Sequence, residues 1–285
     1  MKGGSEVLLA DVYSEGDPTI SGESCMGVLV ELQDVGQVYG DVVALDKTST
    51  RFMPGSFTTL VGPSGCGKST LLDIVAGLNR RNDGKVLIEG NLLSSPRRET
   101  GIIFQEAALL PWRTVLENAA FALEARKVPK AERQAVAADV LRRVGLSEFC
   151  QHYPHQLSGG MRQRTAIARV LSTAPDLVLA DEPFGALDEQ TRVVLGLELL
   201  KMVRQTKATV IFVTHSIQEA VLLSDRILVM SARPGRILLD AMVDLPEERN
   251  PSVLGMKEAA ALIEEVWGLL RSEAEEALSR QGAVL

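Results

Sequence analysis

Three short, nearly unbroken apolar runs set the frame of the chain: SFTTLVG at 56–62, DLVLAD at 176–181 and ATVIFVTH at 208–215. Each is bounded by turn-forming or charged residues, the pattern of strands buried on both faces of a parallel sheet. Between and after them apolar residues recur at helical spacing in STLLDIVAGL, KAERQAVAADVLRRV, MRQRTAIARVL and EQTRVVLGLELLKMVRQ, which predicts amphipathic helices. Strands separated by helices imply an α/β fold whose sheet is covered on both sides. Toward the start, VLVELQDV and DVVALDKTS predict two strands parted by a turn over 36–40, and GKVLIEG predicts a further short one. The stretch from about 101 to 170 breaks the alternation and reads as a helical insert. In it, Thr114 and Glu117 stand at capping-box spacing ahead of VLENAAFALEARK. After RPGR comes a short strand and a terminal helix on which Leu262, Ile263, Val266, Leu269 and Leu270 form one apolar stripe. That stripe either packs on the domain or serves a partner.

Composition narrows the classes. A chain of 285 residues with 46% hydrophobic and 24% charged residues is long enough for one large domain or two small ones. A net charge of −7 argues against a nucleic-acid partner held by overall charge. The three cysteines, Cys25, Cys66 and Cys150, are odd in number and lack ligand spacing, which points to a reducing compartment. Residues 1–27 carry Glu6, Asp11, Glu15, Asp17 and Glu23 against Lys2. They read as a mobile acidic tail and not as a signal peptide, because no positive start is followed by an apolar core. No segment approaches the roughly 20 apolar residues that span a bilayer, so a membrane role must come through a partner.

The chemistry begins at GPSGCGKST, residues 62–70. Gly62, Pro63, Ser64, Gly65, Cys66, Gly67, Lys68 and Ser69 fit G-x-x-x-x-G-K-[ST] between a predicted strand and a predicted helix. Glycines let backbone N–H groups turn inward around phosphate oxygens, and the helix start adds its positive end. One helix start supplies only about half an elementary charge. Lys68 therefore supplies the full charge at the β- and γ-phosphates, Ser69 a hydroxyl for Mg²⁺, and Thr70 completes the loop. Cys66 is a small loop residue here, since the chemistry needs no thiol. The strand LVLAD ends in Asp181-Glu182, at the kind of sheet edge where open α/β sheets bind ligands. Asp181 is placed to hold Mg²⁺ and Glu182 to orient and polarise an attacking water. A third apolar strand ends at His215, which suits the γ-phosphate.

A second glycine turn, QLSGGMRQR at 156–164, opens directly onto a helix. Both turns cannot wrap one phosphate chain without displacing each other. Leu157-Ser158-Gly159-Gly160-Met161-Arg162-Gln163 looks like the signature motif of the ATP-binding cassette (ABC) ATPases, and about residues 28–240 resemble that family. The resemblance implies a P-loop NTPase of the ABC type: a mostly parallel sheet core, an antiparallel β subdomain and an inserted helical subdomain. It also implies that two copies dimerise head to tail, so that Ser158, Gly159 and Gly160 of one close on the ATP held by the other. Position by position, Tyr39 is similar to the aromatic that stacks on adenine. Gln105 in IIFQE is similar to the glutamine that joins the sheet to the insert and senses Mg²⁺ and water. Asp188 is similar to the loop aspartate that contacts the opposite cassette, and His215 to the switch histidine.

LPWRTVLEN, DEPFGALD and SARPGRI together resemble the nitrate/sulfonate/taurine importer branch. The implied protein is the ATPase subunit of a bacterial importer of a small anionic solute. It would be peripheral to the cytoplasmic face of the inner membrane and joined to separate permease subunits, and through them to an extracytoplasmic solute-binding protein. Trp112, in ALLPWRTVLEN, would either meet a permease helix or pack in the core. The competing expectations are an ABC ATPase of another transporter class and a soluble, non-transport ABC protein. The single cassette, the lack of heptads and the acidic balance weigh against action on nucleic acid or ribosomes. Residues 241–285 are expected to form an extension carrying the amphipathic helix.

Overall fold

The computed structural model describes residues 27–185 and 187–282, with side chains described to Glu276. The expected acidic tail, save Gly27, and with it Cys25, lies outside the described residues.

Two sheets form the molecule. The larger has six strands in the order β10-β9-β3-β8-β7-β6. Its strands are β3 (Phe57–Val61), β6 (Thr100–Ile103), β7 (Leu177–Asp181), β8 (Thr209–Val213), β9 (Arg226–Met230) and β10 (Ile237–Met242). The first five run parallel, and β10 pairs antiparallel with β9. Every residue of β3 and β8 is buried, which is why both read as unbroken apolar runs. The smaller sheet is antiparallel, in the order β2-β1-β4-β5, built from β1 (Val30–Tyr39), β2 (Val42–Phe52), β4 (Asp83–Ile88) and β5 (Asn91–Leu92). Both the parallel core and the antiparallel sheet are as expected.

Helix α1 (Lys68–Val75) lies in the core between the sheets: its Leu71, Ile74 and Val75 pack with Val30, Leu32 and Phe52 of the small sheet and Leu179, Ile211 and Leu228 of the large one. The opposite face of the large sheet is covered by α6 (Glu189–Thr206), with Leu195, Leu199 and Val203, and by α7 (Ile217–Leu223). Three helices, α2 (Val115–Ala119), α4 (Lys130–Arg143) and α5 (Gly159–Leu171), share a further apolar cluster around Val115, Ala137, Leu141, Leu146 and Ala168, and the short α3 (Phe121–Ala125) joins α2 to α4. The terminal helix α8 (Lys257–Gly282) buries Ala259 and Val266 against α7 and β9. Leu262, Ile263, Leu269 and Leu270 pack against the same cluster, so the predicted stripe faces the domain.

The structure differs from the sequence reading in three places. Residues 101–103, read as the start of the helical stretch, belong to β6, whose hydrogen bonds come from β7 at a distance of about 77 positions in the chain. The helix expected over 115–127 is two short helices that meet at Ala120. β1 runs on through Gly36 to Tyr39 with irregular register, and the turn falls later, at Gly40-Asp41.

Register then decides which residues meet. Leu60 lies opposite Val213, Asp181 opposite Val213, and Ile103 opposite Ala180. The C-terminal ends of β3, β6, β7 and β8 therefore share one edge, where β7 ends in Asp181 and the residues just beyond the strands are Gly62, Phe104-Gln105, Glu182 and Thr214-His215.

Candidate functional site

Residues 62–67 leave β3 and deliver the chain into α1 through two glycines in left-handed backbone, Gly65 at φ 75 and Gly67 at φ 103. Gly67 is the residue before α1, and a Cβ there would stand 2.8 Å from the Ala44 carbonyl oxygen. A larger residue would meet both backbone strain and a clash that backbone cannot relieve. Lys68 is 6% exposed. Its Nζ donates to the Gly62 and Pro63 carbonyls at 2.8 and 2.9 Å and lies 3.7 Å from Cys66 Sγ. The cation is thus held in the loop by carbonyls, partners that an anion can replace without leaving a buried carboxylate unpaired. Burial pushes the Cys66 thiol above its usual range, against the pull of Lys68. The thiol stays neutral and serves packing.

Asp181 lies beside this loop. Burial raises its carboxyl, a hydrogen bond from the Ser69 side chain lowers it, Glu182 raises it and Lys68 lowers it. Its Oδ1 is buried with no hydrogen-bond partner. A carboxylate oxygen left unpaired next to a serine hydroxyl is a hard-oxygen set that suits Mg²⁺, so the residues fit the predicted ion. Glu182 follows in left-handed backbone at φ 43, its N–H bonded to the Val213 carbonyl at 3.0 Å. Such strain in a non-glycine residue gathers at functional sites. Its Oε2 lies 3.3 Å from His215 Nδ1, so the carboxylate and the imidazole at the ends of β7 and β8 form one pair. Behind His215, the buried Glu219 accepts from the Thr214 hydroxyl, and that hydroxyl accepts from the Ser216 N–H at 3.1 Å. The carboxyl of Glu219 is raised by burial, an effect opposed first by the Thr214 bond.

The structure thus brings together Lys68, Ser69, Asp181, Glu182 and His215. Gln105 is exposed at the same edge, without a hydrogen bond to Asp181 among the described residues. Its neighbour Phe104 accepts from Gln163 Nε2 at 3.0 Å, and Arg169 donates to the Ala107 and Ala108 carbonyls at 3.0 and 2.9 Å. Both donors lie on α5, the helix that begins at the second glycine turn. Sequence reading placed Gln163 in the signature-like motif and missed the bonds that both donors make. The available signal was Gln163, a polar residue 3% exposed at a core-facing position of the helix.

The second glycine turn stands apart. Ser158 caps α5 by accepting from the Met161 N–H at 3.3 Å. Ser158 and Gly159 are exposed, and no hydrogen bond joins 158–160 to 62–70 among the described residues. Tyr39 is exposed at the hairpin tip, its hydroxyl accepting from Asn79 Nδ2 at 3.4 Å, past the end of α1. Asp188 caps α6 through the Thr191 N–H at 2.9 Å, a bond that lowers its carboxyl. Trp112 is 71% exposed and not part of the insert's core.

Comparison with known proteins bears on this arrangement. The model of the family described as "ABC transporter" matches residues 45–185. An uncharacterised ABC transporter ATP-binding protein of Methanocaldococcus jannaschii is 46% identical over 240 residues, covering 83% of this chain and 90% of the relative. The taurine import ATP-binding protein of Rhizobium johnstonii is 43% identical over 240 residues, covering 82% and 92%. Among solved structures, a dimeric ATP-binding cassette in a post-hydrolysis state, bound to ADP and Pi, aligns with a TM-score of 0.69. It is 32% identical, with 75% of this chain and 98% of that one covered. With two relatives above 40% identity aligned over more than four-fifths of its length, the chain belongs to the ABC transporter family and is an ATP-binding cassette ATPase.

Proposed function

We propose that this ATPase is the energising subunit of a bacterial importer for a small anionic solute of the nitrate, sulfonate or taurine type. In this reading it works as a homodimer on the cytoplasmic face of the inner membrane, beneath separate permease subunits that an extracytoplasmic binding protein supplies. The importer branch is supported by the taurine import relative and by LPWRTVLEN, DEPFGALD and SARPGRI. Docking to a permease is supported by the exposed Trp112 and by the absence, among the described residues, of a helix able to cross a membrane. The cassette would span about 28–240, with the remaining residues as an extension.

The observation that carries the reading is the Glu182–His215 pair at 3.3 Å beside Lys68, Ser69 and Asp181. ATP exchanges its phosphate oxygens for the loop carbonyls that hold Lys68, and the amides of 62–70 take the rest of the phosphate chain. Tyr39 offers its exposed ring to the base. Ser69 and Asp181, with Gln105 at the same edge, would hold Mg²⁺, which supplies charge neutralisation at the phosphates. Glu182 orients the attacking water and receives its proton, while His215 holds that carboxylate from the neighbouring strand. Ser158, Gly159 and Gly160 complete the site of the partner copy. Closing the dimer around two ATP molecules moves α5. Because Gln163 and Arg169 tie α5 to residues 104–108, that motion reaches the surface around Trp112. Glu182→Gln tests the assignment: turnover should fall by about 10²–10⁴-fold while ATP binding persists and closed dimer accumulates. Turnover at the wild-type rate would remove Glu182 from this role.

A further inference from the structure

Helix α8 reaches the phosphate loop through one intervening segment, residues 231–236. On the helix side, Glu273 Oε2 accepts from the Ala232 N–H at 2.6 Å. The segment is closed on itself: the Ser231 hydroxyl donates to the Pro234 carbonyl at 2.9 Å and accepts from the Arg236 N–H at 3.0 Å. On its other side it is pinned to β2. The Gly235 N–H donates to the Ala44 carbonyl at 3.0 Å, and the Gly235 carbonyl accepts from the Asp46 N–H at 3.1 Å. The Ala44 oxygen is the atom that also lies against Gly67, and a Cβ on Gly235 would fall 2.1 Å from the Cys66 carbonyl oxygen. The segment, β2 and the phosphate loop are therefore in direct backbone contact, with no room for a side chain between them.

Arg233 is the polar link across this contact. Its Nη2 and Nε donate to the Gly65 carbonyl at 3.1 and 3.3 Å. Gly65 is in left-handed backbone, so its peptide is free to adopt orientations that other residues avoid. A trans peptide points its C=O and the next N–H in opposite directions. A guanidinium that draws the Gly65 oxygen outward thus turns the Cys66 N–H toward the inside of the loop. Within the loop that N–H has only a 3.3 Å bond to the Pro63 carbonyl. The exposed guanidinium also sets a full positive charge at the loop's outer wall, where no carboxylate of the described residues pairs with it.

We propose that Arg233 is a positioning residue of the phosphate loop, and that Glu273 of α8, by seating residues 231–236, sets how tightly the loop holds nucleotide. The terminal helix then controls affinity without touching the ligand. This rests on the reading that residues 62–70 hold the triphosphate.

The test is a double-mutant cycle on the full chain, with ATP affinity measured by calorimetry. Arg233→Ala should weaken ATP binding about 5–10-fold, less than the loss of a charged contact made directly to the ligand because Arg233 acts through the loop backbone, and Arg233→Lys should restore most of it. Glu273→Ala should weaken binding about 2–4-fold in the wild-type background and leave Arg233→Ala unchanged, because both act through one contact. KM for ATP should follow affinity while kcat at saturating ATP holds within about 2-fold. A loosened fold would lower both kcat and stability, so equal thermal midpoints are part of the expected result. Unchanged affinity in Arg233→Ala, or a Glu273→Ala loss that adds in full to it, overturns the proposal. Lys68→Ala is the control. If it loses affinity while Arg233→Ala does not, only this inference falls. If it too binds as wild type, the phosphate site itself is misassigned and both readings fall.

Discussion

The chain contains two glycine turns that open onto helices, and they are built in opposite ways. The first, at 62–67, is closed. Lys68 is buried on loop carbonyls, Gly67 rests against Ala44, Gly65 is held by Arg233, and the half-buried Asp181 lies beside Ser69. The second, at 158–160, is open: Ser158 spends its side chain on one helix cap, and Ser158 and Gly159 face solvent. One turn gathers a buried cation, inward-turned backbone and a carboxylate within a single chain. The other is half a site: a positive helix end with a hydroxyl and bare amides, whose neighbouring cation, the exposed Arg162, donates to the Leu157 carbonyl at 2.7 Å and is not buried in the turn as Lys68 is. The difference supports the proposed reading, in which the second turn serves as one wall of a site carried by another copy.

Four substitutions break or sharpen that contrast, in falling order of effect. Ser158→Arg fills the open turn and should cut ATP turnover by roughly 10²–10³-fold, the size of losing one preorganised donor, while a single copy still binds ATP. Loss of binding as well, by calorimetry, would place the turn within the same chain's site. Lys68→Ala should weaken ATP binding by about 1.5–3 kcal/mol, the value of a charge-assisted contact, whatever the state of the second turn. The paired variants Gly67→Ala and Gly160→Ala compare rigidity. Gly67→Ala meets the Ala44 backbone and a left-handed φ and should cost about 1–3 kcal/mol of stability. Gly160→Ala meets only the tip of Leu187 at 2.9 Å, which can rotate away, and should cost about 1 kcal/mol or less by thermal unfolding. Equal costs would mean the two turns are equally rigid.

The smallest effect is electrostatic. Burial raises the Asp181 carboxyl, so in the nucleotide-free protein its charged form costs stability. For an acid whose folded pKa is raised, the protonated form gives full stability below the unfolded value, and that stability is lost as pH rises through the folded one. Asp181→Asn should therefore raise the melting temperature of the free protein slightly at neutral pH, with the gain shrinking to nothing in acid. A gain that grew on acidification would contradict the assigned burial.

What the sequence revealed followed from how local each signal is. The loop at 62–69, the Asp181-Glu182 strand end and the cap at Ser158 each lie within ten residues, so their patterns survive without the fold. β6 does not: TGII is four residues long, carries no alternation, and becomes a strand only because Leu177 to Ala180 pair with it. The break at Ala120 is likewise invisible in a continuous helical pattern. Arg233 and Glu273 show the same limit at the site. Their partners are Gly65, 168 positions away, and Ala232, 41 positions away, and nothing in SARPGRI announces either. Gln163 was legible as the last residue of the signature-like motif, but its bond to the Phe104 carbonyl, 59 positions away, was not.

The central claim is that each ATP is burned between two copies, and mixing two defective variants tests it most directly. Lys68→Ala has a damaged first turn and an intact second; Ser158→Arg has the reverse. In a twofold dimer of one of each, one composite site carries both defects and the other carries none. An equimolar mixture should therefore recover ATP hydrolysis to about one quarter of the wild-type site count, far above either variant alone. A mixture no more active than the sum of its two components would contradict the account.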